Sequence, residues 1–164
     1  MTKGSTYVVI VFAALVAYFG YQWWFNPSRA VKYRLGEIAA ALSVPEHEQD
    51  VARIARLAQL RRYLADDLRI KAGAQEIRSR DTAVGLAASW KPQPGSGDVH
   101  FADVQVFIES ETAAHAYMAV ELTSLDRESG HATVDANDAS VSLAKQNGEW
   151  VITVAELKVP PAVF

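Results

Sequence analysis

The chain has 164 residues, a net charge of −3, an even share of apolar and other residues, and no cysteine. The missing thiols exclude a disulfide scaffold and a thiolate metal site, and the mild acidity argues against a nucleic-acid binder. Charge is nonetheless uneven: residues 29–80 carry 11 Lys/Arg against 7 Asp/Glu, whereas residues 81–164 carry 4 against 12. Solvated helix faces followed by solvated strand faces explain this split. A basic segment facing anionic lipid headgroups is the sharper alternative.

The N-terminal segment is the most distinctive. From Gly4 to Ser28 there is no charged side chain, and Tyr7 to Phe25 is a 19-residue apolar run broken only by Gly20 and Gln22. As a helix it reaches about 28 Å, close to the hydrocarbon thickness of a bilayer. Tyr7, Phe12 and Phe19 lie along it, while Tyr21, Trp23 and Trp24 gather at its C-terminal end, where amphipathic rings favour the headgroup level. A cleaved signal peptide would have a shorter core and small residues before the cut. Here bulky aromatics fill that zone. Nothing else in the chain is apolar enough to surround the segment as a soluble core helix. Residues 1–28 therefore read as a membrane anchor and residues 29–164 as one domain of ordinary size.

After Asn26-Pro27, the spacing of Val31, Leu35, Ile38, Ala39 and Leu42 predicts an amphipathic helix over residues 28–42. Ser43-Val-Pro-Glu46 fits a capping box. It predicts a second helix running to about Leu64, with an apolar stripe of Val51, Ile54, Leu57, Ala58, Leu60 and Leu64. Asp66-Asp67 is expected to end that helix, and residues 68–71 alternate as a short strand closed by Gly73. Residues 79–90 read as a third helix, and residues 91–98 as a loop. From Val99 the period becomes two. Strands are expected through Val104, Val106 and Ile108, through Ala114 to Leu122, from His131 to about Lys145, and through Trp150, Ile152 and Val154. Asn147-Gly148 is a strong hairpin signal, and Pro160-Pro161 should stop the last strand. Helices first and an antiparallel meander after them predict an α+β domain, about three helices packed on a curved, mainly antiparallel sheet.

The residues then resemble the nuclear-transport-factor-2-like superfamily, particularly its SnoaL-like and ketosteroid-isomerase-like branches, over about residues 29–158. The marks are Tyr63-Leu-Ala-Asp-Asp67, Ser79-Arg-Asp81 before the short third helix, and the hairpin from Leu143 to Ile152. The resemblance implies a cone-shaped domain with a pocket between sheet and helices. It also implies where isomerase groups would lie. The general-base slot, five residues after the Asp-Asp pair, is Ala72, and the acidic oxyanion donor slot is Ser140. Asp138 lies two residues earlier, where a small register shift would bring a carboxyl, and Tyr33 is the one counterpart of the hydrogen-bonding tyrosine. Without a base, that chemistry is not expected.

Other candidates are weighed against plain structural roles. Asp66 and Asp67 form a base or metal pair, or simply turn residues. His115 and Tyr117 face one side of a strand, either into the pocket as an acid–base pair or outward if Ala114, Ala116 and Met118 face the core. His100 and Asp103, three apart, should lie on opposite faces, and His47 and His131 stand alone. No histidine spacing suits zinc, and no phosphate loop or nucleotide fingerprint occurs. Trp90 and Trp150 suit packing better than cofactor stacking.

The sequence thus points to a membrane-anchored, non-catalytic domain without cofactor or metal. Its expected partners are the lipid bilayer and a second copy or a membrane protein, or else a small apolar ligand. The alternative is an enzyme acting on a hydrophobic small molecule with Tyr33, Asp67, His115 or Asp138. Arg29, Lys32 and Arg34 outnumber Lys3 and favour a cytoplasmic domain by the positive-inside rule. The short charged tail and the look of anchored relatives favour an extracytoplasmic domain on a bacterial cytoplasmic membrane, which is the placement adopted.

Overall fold

Asn26-Pro27 divides two helices of opposite character. In the computed structural model, which describes residues 3–158 with side chains from Tyr7 onward, α1 spans Lys3–Trp24 and α2 spans Pro27–Leu42. The Asn26 carboxamide oxygen accepts from the Ser28 N–H at 3.0 Å, and Pro27 occupies the first turn, where its missing N–H costs nothing. The N-terminal helical stretch is long and apolar enough to cross a membrane, and none of its apolar window is buried. Every described side chain from Tyr7 to Phe25 is exposed. By contrast, α2 buries Val31, Leu35 and Ile38 on one face, as its period requires.

Helix α3 (Asp50–Tyr63) begins later than the capping-box reading predicts. Ser43 serves the end of α2 instead. Its N–H bonds the Ala39 carbonyl at 3.0 Å, and its hydroxyl oxygen accepts from the Val99 N–H at 2.9 Å, tying α2 to the sheet. The expected α3 stripe also fails in its first half: Val51 and Ile54 are 79% and 68% exposed, and only Leu60 and Tyr63 are buried. The connection 43–49 turns the helix so that Arg56 faces inward, where it donates to both Glu48 carboxylate oxygens (2.6 and 3.1 Å) and to the Ala41 carbonyl (2.9 Å). One guanidinium thereby caps α2 and pins the connection.

The rest runs β1 (Leu64–Ala72), β2 (Gln75–Ile77), α4 (Arg80–Ser89), β3 (Asp98–Ile108), β4 (Ala113–Leu125), β5 (Ala132–Gln146) and β6 (Glu149–Leu157). The six strands form one sheet ordered β2-β1-β6-β5-β4-β3. Asp66 and Asp67 lie inside β1 rather than ending a helix, beside an irregularity between Leu64 and Arg69. β1 pairs parallel with β6 and antiparallel with β2, so the sheet is mixed, with its other pairings antiparallel. At the β5–β6 hairpin Asn147 and Gly148 adopt φ of +51° and +79°, as the turn demands. Pro160-Pro161 lie outside the described residues. Gly97 (φ +94°) sits where a Cβ would fall 2.6 Å from Pro92, and its N–H and carbonyl bond Thr123 and Val44 at 3.0 Å. It stitches the long loop to both layers.

Helices α2, α3 and α4 cover the inner face. The core joins Val31, Leu35 and Ile38 of α2 and Leu60 of α3 to Leu68, Ala116, Leu143 and Trp150 of the sheet, with Trp150 only 5% exposed.

Candidate functional site

Alternation along the strands gives the sheet two faces, and the interesting chemistry divides between them. On the inner face, Met118, Val120, Val141 and Ile152 form one wall of a cavity of about 200 Å³. Ile38 and Leu42 of α2, Leu60 of α3, and Ala83 and Ala87 of α4 close it from the helical side. The lining is hydrocarbon apart from Glu156, an exposed side chain at the rim and the one ionisable group among the described lining residues. A cavity of about 150 Å³ with such walls holds benzene, so this one suits an apolar molecule of one or two small rings. Proton transfer here would have a single carboxylate to draw on.

None of Tyr33, Asp67, His115 and Asp138 lines this cavity. Tyr33 stands exposed on α2, and Asp67 is exposed on β1. Arg80 ties its neighbour Asp66 to α4 as an ion pair, giving Asp66 a structural role. Ala72 pairs with Gln75 and Leu157 at the end of β1. Ser140 and Asp138 share the outer face, because β4 and β5 pair without a break from Ala113↔Ala144 to Leu125↔Ala132. No register shift turns Asp138 inward.

His115 and Tyr117 do meet, on the outer face. Their rings are 4.7 Å apart and edge-to-face, the His115 Nδ1 lies 3.1 Å from the Ser142 hydroxyl, and Phe107 meets Tyr117 at 5.9 Å. Phe107 and Tyr117 remain about half exposed. Beside them Asp103, Tyr117, Asp138, Ser140 and Lys158 line a shallow groove of about 270 Å³. Phe107 was not singled out in the sequence, although its place between the core-facing Val106 and Ile108 turns it outward, opposite His115 in the β3–β4 register. A bulge at Asp103 (φ +51°) also inserts an extra residue between Ala102 and Gln105. The signal was present: Phe101 and Val104, both core-facing, are three apart, which an unbroken strand forbids. His100 and Asp103 are both exposed, His100 before the bulge and Asp103 within it.

Among ionisable groups, the Arg56 fork holds the Glu48 carboxyl below its ordinary pKa by hydrogen bonding. Arg78 does the same for Glu76, and the Glu128 N–H with the Ser129 hydroxyl for Asp126. All three favour the charged form, and all lie away from the cavity. No group of three His, Asp or Glu among the described residues could hold a metal.

This architecture matches known folds. An NTF-2 like protein of unknown function from Shewanella oneidensis superposes with a TM-score of 0.62 at 15% identity, covering 80% of this chain and 98% of its own. A protein provisionally named a scytalone dehydratase, from Novosphingobium aromaticivorans, gives 0.62 at 14% identity, covering 80% and 83%. The association domain of C. elegans CaMKII gives 0.55 at 17% identity, covering 68% and 94%. The fold is NTF2-like. No protein-family model matches the sequence, and no curated protein matches it. A shared fold does not fix function, so function has to be argued from the two faces of this sheet.

Proposed function

We propose that the chain is a single-pass protein of a bacterial cytoplasmic membrane whose extracytoplasmic NTF2-like domain works by binding, as an accessory or assembly subunit of a membrane complex. The observation that carries this reading is the inner cavity: apolar throughout, with Glu156 alone at its rim. General acid–base chemistry needs a second positioned group within hydrogen-bond reach, and the cavity walls offer methyl and methylene groups instead. Its size favours a small apolar ligand. The half-exposed aromatics Phe107 and Tyr117 on the outer face supply a surface of the kind that protein partners use, including a second copy. The CaMKII association domain lends precedent for assembly through this fold.

The enzymatic alternative draws on the His115–Tyr117–Ser142 contact and on the provisional dehydratase name of one structural neighbour. That contact lies on an open sheet face that does not exclude water, which weakens it as a reaction centre.

The test is purification of the intact chain in mild detergent, with mass spectrometry of what accompanies it, beside an Ala87→Leu variant that fills the cavity. The binding reading expects a small apolar compound lost in the variant, or a protein that cross-links through a photoreactive residue replacing Tyr117. Turnover of a hydrophobic substrate abolished by His115→Ala would overturn it.

A further inference from the structure

Where α1 meets α2, the domain folds back on the junction. The tip of the β5–β6 hairpin approaches it and forms a cleft of about 670 Å³ lined by Trp24, Phe25, Arg29, Tyr33, Lys145 and Trp150. Two cations from distant parts of the chain thus share one cleft. The Arg29 guanidinium lies 4.5 Å over the Trp23 ring, and the Lys145 ammonium lies 5.9 Å from the Trp150 ring. Neither has a carboxylate partner among the described residues, whereas Arg34 next to them is taken up by Glu37 at 3.1 Å and Glu149 at 3.8 Å. Glu149, the nearest acid on the hairpin, is therefore already paired.

Depth supplies the second observation. If Trp23 and Trp24 mark the edge of the hydrocarbon, Arg29 follows five residues later, beyond the Asn26-Pro27 break, with its guanidinium reaching back over the Trp23 ring. That puts the cation within the headgroup layer, roughly 5–8 Å thick on each side, within reach of lipid phosphates. Trp24 and Phe25 flank the cleft on its lipid side and suit the glycerol and upper acyl carbons. Lys32 is different: it lines a separate groove between α2 and β3, away from this cleft.

We propose that this cleft seats the headgroup of an anionic glycerophospholipid, with Arg29 and Lys145 donating to the phosphodiester and the hairpin clamped against the bilayer as a result. The inference rests on α1 being a membrane anchor. It goes beyond that reading, because a diffuse juxtamembrane charge would give Lys145, 116 residues further along the chain, no special part.

The experiment uses the full chain in mixed micelles of equal phosphatidylglycerol and phosphatidylcholine, with retained lipid counted by mass spectrometry. Wild type should retain phosphatidylglycerol in excess. Lys145→Gln and Arg29→Gln should each lower that excess roughly fivefold, the scale of one cation at a charged lipid surface. Lys145→Arg should restore it, and Lys32→Gln should leave it nearly unchanged. Equal loss in Lys32→Gln and Lys145→Gln, or no preference in wild type, overturns the site. Displacement of the lipid by millimolar inorganic phosphate also overturns it, because the cleft would then be a free-phosphate site. Flotation with vesicles is measured beside these. A chain that floats without lipid preference refutes the cleft alone, and a chain that does not float refutes the anchor as well.

Discussion

Helices α1 and α2 follow one another with only Phe25 and Asn26 between them, yet their apolar residues are arranged in opposite ways. Along α1 the apolar side chains point in every direction, and every described one from Tyr7 onward is exposed. Along α2 they are confined to Val31, Leu35, Ile38 and their neighbours, while Lys32, Tyr33 and Gly36 face outward. A helix apolar all round and exposed is what the proposed membrane anchor requires, whereas a helix apolar on one stripe carries its own instruction for docking. The sequence marks the change within two residues, where aromatics give way to Asn26-Pro27 and charge resumes at Arg29.

The largest effect that could break this contrast is in the core beneath α2. Trp150→Ala should cost about 3–5 kcal/mol in denaturation of the full chain followed by circular dichroism. A loss under about 1 kcal/mol would mean that the inner face is not packed as described. A matched pair of leucines sharpens the same point. Leu35→Ala should cost about 2–4 kcal/mol, while Leu15→Ala, the same change on α1, should leave the unfolding of the domain within about 0.5 kcal/mol. The converse substitution, Val16→Arg near the middle of α1, should oppose membrane insertion by about 3 kcal/mol and shift the chain out of the membrane fraction, with the domain still folded.

A smaller effect concerns the clasp at the far end of α2. The Glu48 pKa is lowered in the folded state by its bond to Arg56, so the clasp is fully present above the ordinary carboxylate pKa of about 4.3 and is lost as pH falls through the lower folded value. Glu48→Gln should flatten that acid limb of the stability profile. Arg56→Ala should cost about 2 kcal/mol at neutral pH, because it also uncaps the Ala41 carbonyl. Smallest of all, Ile54→Ser should change stability by no more than about 0.5 kcal/mol, since that side chain meets solvent. A cost above 1 kcal/mol would show that the outer stripe of α3 is covered.

Features written locally were legible in the sequence. The long apolar N-terminal helix, the α2 stripe, the Ser79-capped α4 and the Asn147-Gly148 turn each depend on residues a few positions apart. Features decided by distant pairing were not. Ser43 carries the same capping chemistry for a helix that ends as for one that begins, and only its bond to Val99 decides between them. The parallel pairing of β1 with β6 leaves no local mark, so Asp66-Asp67 read as a helix end while lying in a strand. The stripe through Val51 and Ile54 has helical spacing, but Arg56 and its bonds to Glu48 and Ala41 decide which face turns inward. Of the site, the core-facing set Ala114, Ala116 and Met118 sent His115 and Tyr117 to the outer face, as the plainer reading holds. The meeting with Phe107 needed the β3–β4 register, and the apolar cavity gathers side chains from three helices and five strands that no spacing rule connects.

The central claim is that α1 belongs to the membrane while the domain folds without it. The direct measurement is deletion of residues 1–25, which keeps the Asn26 cap, followed by circular dichroism and sedimentation in detergent-free buffer. The account predicts a folded, soluble α+β domain with a cooperative unfolding transition, beside a full chain that stays with the membrane fraction after alkaline washing. A truncated chain that is unfolded or aggregated would show that α1 completes the core, and a full chain released by the wash would show that α1 does not span.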